Sequence, residues 1–339
     1  MQTSHKLTRI FVALFALVMM AAAALAGDPA QNIGVSDQKA GSLLVFPYYT
    51  SSSGQTKADT RISISNTGNQ FAIVHVFYLQ GRDCTQADQF VCLTPNASIV
   101  MRASDFDPEN TGYILAVAVD GNGIPTQNNG LIGNAFVNDG DYVGNYGAEA
   151  FWRHNNARTP LVDTNKDDVA VLDFGGRYDY VPCTLTTEIQ SPKDAPGQRV
   201  VTAGLFGDIS GLDPLRIGSI RGAGQVGIGQ AYNAQEKFAS FSRWLNGACQ
   251  ADARITETSP RVPSGLGSLI GAGNAGTIKF NVGVVVGSPI FGVPSGDVIG
   301  GAVGLLMTPK TNAWKGIRTL HKTKQTISFV TIPVFMPYC

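Results

Sequence analysis

The sequence predicts an all-β protein: an antiparallel β-sandwich of Ig-like or jelly-roll-like type, in two sandwich-like parts with one docked helix. Three observations predict it. Gly and Pro, 39 and 17 of 339 residues, make about a sixth of the chain, a usage that suits a turn-rich β protein. From Gly41 onward, short β-type runs alternate with turn clusters at roughly ten-residue spacing. Thr60-Arg61-Ile62-Ser63-Ile64-Ser65-Asn66 alternates polar and apolar side chains, the period of a strand with one buried face.

Composition bounds the rest. An apolar fraction of 44% with zero net charge excludes disorder as the dominant state. No Gly-X-Y period and no heptad run is present, which excludes collagen and coiled coil. With 25 basic and 25 acidic residues, nothing draws the chain to nucleic acid or to an anionic membrane.

The N-terminus reads as an export signal. Lys6 and Arg9 precede an apolar stretch from Ile10 to Ala26, and Ala24-Leu25-Ala26 is an A-x-A cleavage site. Residues 1–26 are therefore expected to be removed, and the product to reside in the periplasm, on the outer surface or outside the cell. Loss of Lys6 and Arg9 leaves 23 basic (25 − 2) against 25 acidic residues, a net charge of −2.

Strands are expected at Ser42–Tyr49, Thr60–Asn66, Phe71–Gln80, Ser98–Ala103 and Gly112–Asp120, the last closed by the turn Asp120-Gly121-Asn122-Gly123. Residues 27–165 form the first, Ig-like part, and 166–339 the second. From Leu131 to about Thr164 the apolar pattern weakens and reads as long loops with a short helix around Gly147–Arg153. Strands resume at Asp168–Phe174, Cys183–Ile189 and Arg199–Phe206. A helix is expected near 233–247, with Asn233 as N-cap, Glu236 as capping-box partner and Gly247 as stop. Phe238, Phe241, Trp244 and Leu245 would form its docking face. Strands at Thr277–Val286, Val298–Met307 and Thr326–Phe335 end the chain. Within Gly265–Gly304, Val284–Gly304 is the candidate surface for self-association.

Export makes the five cysteines candidates for disulfides, and no C-x-x-C occurs. Cys84 and Cys92 flank the polar segment TQADQFV, which suits a loop-closing bridge. For a second bridge Cys249–Cys339 is favoured, because a terminal strand gains most from tethering.

Chemistry-bearing motifs are sparse. Gly222-Ala-Gly224-Gln-Val-Gly227 and Gly271-Ala-Gly273-Asn-Ala-Gly276 match G-x-G-x-x-G but lack the βαβ unit that dinucleotide binding requires. No nucleophile elbow and no H-E-x-x-H occurs. Asp163, Asn165, Asp167 and Asp168 carry the alternating oxygens of a calcium loop, so Ca2+ is the leading metal candidate. Asp168, however, stands where an EF-hand needs Gly, and Phe174 where it needs Glu. Aromatic residues near polar loops, Trp152, Tyr146 and Tyr142 foremost, are candidates for a face that stacks on carbohydrate or on a surface protein.

Lys39-Ala-Gly-Ser-Leu-Leu-Val-Phe-Pro-Tyr-Tyr49, Thr60-Arg-Ile-Ser-Ile-Ser-Asn-Thr67 and Gly316-Ile-Arg-Thr-Leu-His-Lys-Thr323 resemble exported bacterial proteins of unassigned function. The middle segment is also similar to strands of bacterial Ig-like and pilus-chaperone-like modules. The resemblance implies a bacterial envelope and transfers no functional residue. The expected function is that of an exported, non-catalytic structural or binding protein. The alternatives are an outer-membrane β-barrel and a secreted carboxylate-dependent hydrolase.

Overall fold

The computed structural model describes residues 34–51, 58–154, 168–210, 228–242, 249–255, 266–285, 298–310 and 312–339. Residues 1–26, read from sequence as an export signal, lie outside the described residues. By its contacts, Val35–Cys339 forms one unit.

The first half supplies β1 (Leu43–Thr50), β2 (Asp59–Asn66), β3 (Ala72–Gln80), β4 (Gln86–Leu93), β5 (Ser98–Arg102), β6 (Thr111–Val119), β7 (Leu131–Asp139), β8 (Tyr142–Gly147) and β9 (Glu149–Phe151). They build two antiparallel sheets, ordered β4-β3-β6-β1-β9 and β5-β2-β7-β8. The clean alternation of β2 does what the pattern dictates: Ile62 and Ile64 are buried, while Arg61 points to solvent. β1 and β6 read apolar on both faces because the first sheet is covered on both sides. Leu44 and Phe46 face the second sheet, whereas Leu43 and Val45 face the other way, onto the C-terminal half.

The second half supplies β10 (Val169–Phe174), β11 (Val181–Gln190), β12 (Arg199–Gly204), β13 (Gly207–Asp208), β14 (Ile228–Asn233), β15 (Phe238–Ser242) and β16 (Gln250–Arg254). A four-residue helix α1 (Leu266–Leu269) follows, then β17 (Ala275–Asn281), β18 (Val284–Val285), β19 (Val298–Ile299) and β20 (Ala302–Thr308). β21 (Gly316–Thr319), β22 (His321–Thr326) and β23 (Ser328–Pro333) complete it. Sheets β15-β14-β17-β11-β22 and β16-β12-β20-β21 face each other across a core of Leu185, Ile189, Ile278, Phe280 and Leu306. β10-β23-β13 and the pair β18-β19 are the smaller sheets.

Among the described residues no sheet mixes strands from the two halves, yet the cores do. Val201, Leu305 and Met307 belong to the cluster inside the first sandwich, and Leu172, Val303 and Ile332 pack on the outer face of its first sheet. A polar lock follows the same seam. The Arg199 guanidinium donates to Asp139 (2.6 Å), Tyr48 Oη (2.9 Å) and Asp252 (2.9 Å), and lies over the rings of Tyr142 and Tyr48.

Several sequence expectations are corrected. The predicted helix at 233–247 is, over its described residues, the hairpin β14–β15. Asn233 Oδ1 accepts from Gln235 N (3.0 Å) and Lys237 N (2.9 Å), and Glu236 takes a positive φ of 61°. Asx chemistry that caps a helix also closes a hairpin turn, and pairing of β14 with β17 decides between them. The loops expected from Leu131 onward, and the short helix around Gly147–Arg153, are β7, β8 and β9.

The cysteine pairing also differs. The same four cysteines form Cys84–Cys249 and Cys92–Cys339, and Cys183 stays free. β4 runs extended from Gln86 through Cys92, about 20 Å at ~3.3 Å per residue, which leaves Cys84 in the preceding turn too far from Cys92 for a bridge.

Glu149 and Lys322 form a buried ion pair on this frame, with the Glu149 side chain 1% exposed and its Oε1 without a partner. Burial pushes the Glu149 carboxyl above the usual carboxylate range; Lys322 offsets this only in part. A raised folded-state value contributes stability below the unfolded value, and that stability is lost as pH rises through the raised one. Glu149→Gln is therefore expected to lose less Tm than wild type between about pH 5 and about pH 8. Superimposable melting profiles of the two proteins across that window would refute this.

Candidate functional site

A cleft of about 650 Å³ opens between the end of β11, the turns that precede β12 and β17, and the start of β21. Its floor is apolar and amide: Ile189, Leu306 and the buried Gln198, whose Nε2 donates to Thr308 Oγ1 (3.0 Å) and whose Oε1 accepts from Gln190 N (3.2 Å). One wall is the turn after β11. Ser191 N donates to Asn274 O (3.1 Å), Ser191 Oγ to Ile270 O (2.8 Å), and Gly273 N to Asp194 Oδ2 (2.6 Å). These bonds tie two turns into one rigid edge.

The opposite wall is the β20–β21 connection. Asn312 Nδ2 donates to Pro196 O (3.1 Å) and anchors it, and two residues on Trp314 stands 74% exposed at the mouth. Lys315 and Arg318 face Glu188 and Asp194 around the rim, two cations against two carboxylates. Arg318 is positioned by donating to the Glu188 carbonyl. The arrangement offers a flat aromatic face above amide, hydroxyl and balanced charged groups. The carboxyls whose proton affinity burial raises, Glu149 and Asp252, lie elsewhere, in ion pairs with Lys322 and Arg199.

No family model matches this chain, and no curated protein matches it. Among solved structures, the crystal structure of Thermotoga maritima 1070 aligns at 14% identity and a TM-score of 0.26, over 34% of this chain and 98% of that one. A likeness at that level carries no argument.

The residues singled out from sequence lie elsewhere. Tyr142 and Tyr146 are buried inside the first sandwich, not on a stacking face. Tyr142 Oη donates to Gly197 O (2.6 Å) and Tyr146 Oη to Tyr48 O. Their flanking Gly and Asn residues suggested a loop, but β7–β8 pairing turns both rings inward. Trp152 is half-buried, its N–H donating to Asp179 Oδ2 (2.7 Å).

Of the candidate calcium set, Asp163, Asn165 and Asp167 lie outside the described residues. Asp168 is exposed, and its carbonyl accepts from Val334 N (2.7 Å). Among the described residues no cluster of His, Cys, Asp or Glu side chains is grouped to hold a metal ion. The described part of Val284–Gly304 ends in the start of β20, which is wholly buried and so unavailable for self-association through that strand. No helix among the described residues is long and apolar enough to cross a membrane.

Trp314 is the residue that sequence reading missed. Its signal was local: a tryptophan in the polar turn Asn312-Ala-Trp-Lys-Gly316, with no periodic apolar neighbours to bury it.

Proposed function

We propose that this protein is an exported, non-catalytic binding component of a bacterial cell envelope that takes a neutral saccharide in the cleft beneath Trp314. The observation that carries the reading is that indole, 74% exposed over a polar cleft. An aromatic face left in water gains most from a ligand that is apolar on one side and hydroxylated on the other, and a sugar ring is both. The rim charges balance, so a charged ligand finds no net attraction there, while carboxylate, amide and guanidinium groups suit neighbouring hydroxyls. Two disulfides support residence in an oxidising compartment.

The test is a fluorescence titration of the mature protein with cellohexaose, chitohexaose and maltohexaose, with hexagalacturonate as the charged control. At least one neutral sugar should alter tryptophan emission and be recovered uncleaved. Trp314→Ala should weaken that binding by about 2 kcal/mol or more, roughly thirtyfold in Kd. Binding unchanged in Trp314→Ala would remove the site. Cleavage abolished by Glu188→Gln would replace the binding reading by the carboxylate-dependent hydrolase.

A further inference from the structure

Taken in chain order, Cys84 pairs past Cys92 with Cys249, and Cys92 pairs past Cys249 with Cys339, so the bridges interleave. An unstructured chain makes a different pair first. Cys84 and Cys92 are 8 residues apart (92 − 84), against separations of 165 and 247 for the native pairs. Loop-closure probability falls as about the 3/2 power of length, which favours Cys84–Cys92 over Cys84–Cys249 by about (165/8)^1.5, roughly ninetyfold. Delivery of the chain N-terminus first adds to this, because both cysteines are exposed to oxidant before Cys249 and Cys339 arrive. Cys183, half-buried in β11 and free, is a further wrong partner that also precedes them.

The local bond cannot survive in the fold. Cys84 sits in the β3–β4 turn, its N–H donating to Gln80 O (3.0 Å), while Cys92 lies near the far end of the same hairpin, opposite Ile73. Bridged cysteines have Cα atoms within about 7 Å, so closing Cys84–Cys92 would fold β4 back on itself. The whole β3–β4 ladder, from Ala72–Leu93 to Leu79–Gln86, would be lost with it.

We propose that this chain is an obligate client of thiol–disulfide isomerisation. Its partner is a catalyst that presents a reactive thiolate to the incompletely folded chain and converts the local bond into the native pairs. The exchange balances. Forming Cys84–Cys92 gives two electrons and two protons to a disulfide-bearing oxidant. The partner's thiolate attacks Cys84 Sγ, the Cys84–Cys92 bond breaks, and Cys92 leaves as thiolate. The Cys249 thiolate then attacks Cys84 Sγ in the mixed disulfide and releases the partner's thiolate, with no net electron transfer. Cys92 and Cys339 are oxidised as the second pair by the same class of oxidant. The inference rests on the pairing and on the exported placement proposed above, and is independent of the saccharide reading.

The test refolds the reduced, denatured full chain and its Cys183→Ala variant, which holds no thiol once its two bridges are closed, with diamide, which oxidises thiols without releasing one, and in parallel with a glutathione redox couple or a disulfide isomerase. Peptide mapping without reduction should find Cys84–Cys92 dominant under diamide alone, and native pairs at least tenfold more abundant when the exchanging thiol is present. Equal native yields in both arms would overturn the proposal. A second variant, Cys84→Ala/Cys183→Ala/Cys249→Ala, keeps only Cys92 and Cys339, so its bridge should form equally well in both arms. A persistent thiol requirement in that variant would overturn the proposal too, and if it fails to fold the wild-type comparison decides alone.

Discussion

Cys84→Ala/Cys249→Ala is expected to lose about 5 kcal/mol of stability and about 10 °C in Tm, and Cys92→Ala/Cys339→Ala less than half as much. Loop length does not separate the two bridges, since 165 and 247 residues give nearly the same closure entropy. Their surroundings do. Cys249 is buried in the core beneath the first sheet, and the next residue, Gln250, donates to Pro47 O (2.8 Å) and Gly112 O (2.7 Å) in β1 and β6. Cys249 N also donates to Gly81 O (3.4 Å), and a Cβ on Gly81 would meet Gln250 Oε1 at 2.7 Å. That bridge holds the start of β16 to the β3–β4 turn, at a seam between the halves.

Cys339, by contrast, lies on the tail that follows β23, whose Phe335 and Tyr338 rings pack on His75 and Phe90. Without its bridge the native state regains freedom in that tail alone, which offsets part of the gain in unfolded-state entropy. Denaturant melts of the two double variants measure the difference. Equal losses would show that the tail contributes as much as the seam.

Asp179→Ala is expected to lose about 3–5 kcal/mol, the usual loss when one member of a buried ion pair is removed. Asp179 and Lys39 approach to 2.6 Å with side chains 6% and 1% exposed. Asp179 also accepts from Trp152 N (2.7 Å) and pairs with His154 Nε2 (3.1 Å), so one carboxylate organises the segment after β9. Its removal strands the Lys39 ammonium in the interior. Lys39→Met is expected to lose clearly less, because Asp179 keeps its bonds from Trp152 and His154. Lys39→Met/Asp179→Ala should recover part of the Asp179→Ala loss, since no unpaired ammonium remains buried. Urea titrations of the single and double variants close the cycle. A double variant no more stable than Asp179→Ala would assign the loss to the Trp152 and His154 contacts and not to the stranded charge.

The strands legible in the sequence are those whose apolar residues recur at the right period. Ile62 and Ile64 in β2, and the continuous apolar runs of β1, β3 and β6, were readable because covered strands exclude polar side chains. β4 was missed because one of its inward positions is Gln89, satisfied by donating to Tyr78 Oη (3.0 Å). β7 was missed because its inward positions are interrupted by a glycine that the packing demands. A Cβ on Gly133 would meet Phe46 Cζ at 2.7 Å. In both strands the break in the inward apolar period hides the strand, although β4 pairs with the neighbouring β3 and β7 with the neighbouring β8 as well as with the distant β2.

The sequence by itself determined the class of the protein. Alternation and turn residues are local properties of the chain, and each is written within a window of about ten residues. It also singled out the four cysteines that pair. Tertiary structure alone decided which cysteine meets which, that Asn233 turns a hairpin instead of capping a helix, that Tyr142 and Tyr146 face inward, and that Trp314 stands over a cleft. The reason is common to all four. Each depends on contacts between segments remote in sequence: the β3–β4 turn with the start of β16, β14 with β17, β8 with β1 and with the 191–198 turn, and the 191–198 turn with the 312–316 turn. Burial and pairing across such distances override the preference of any single residue.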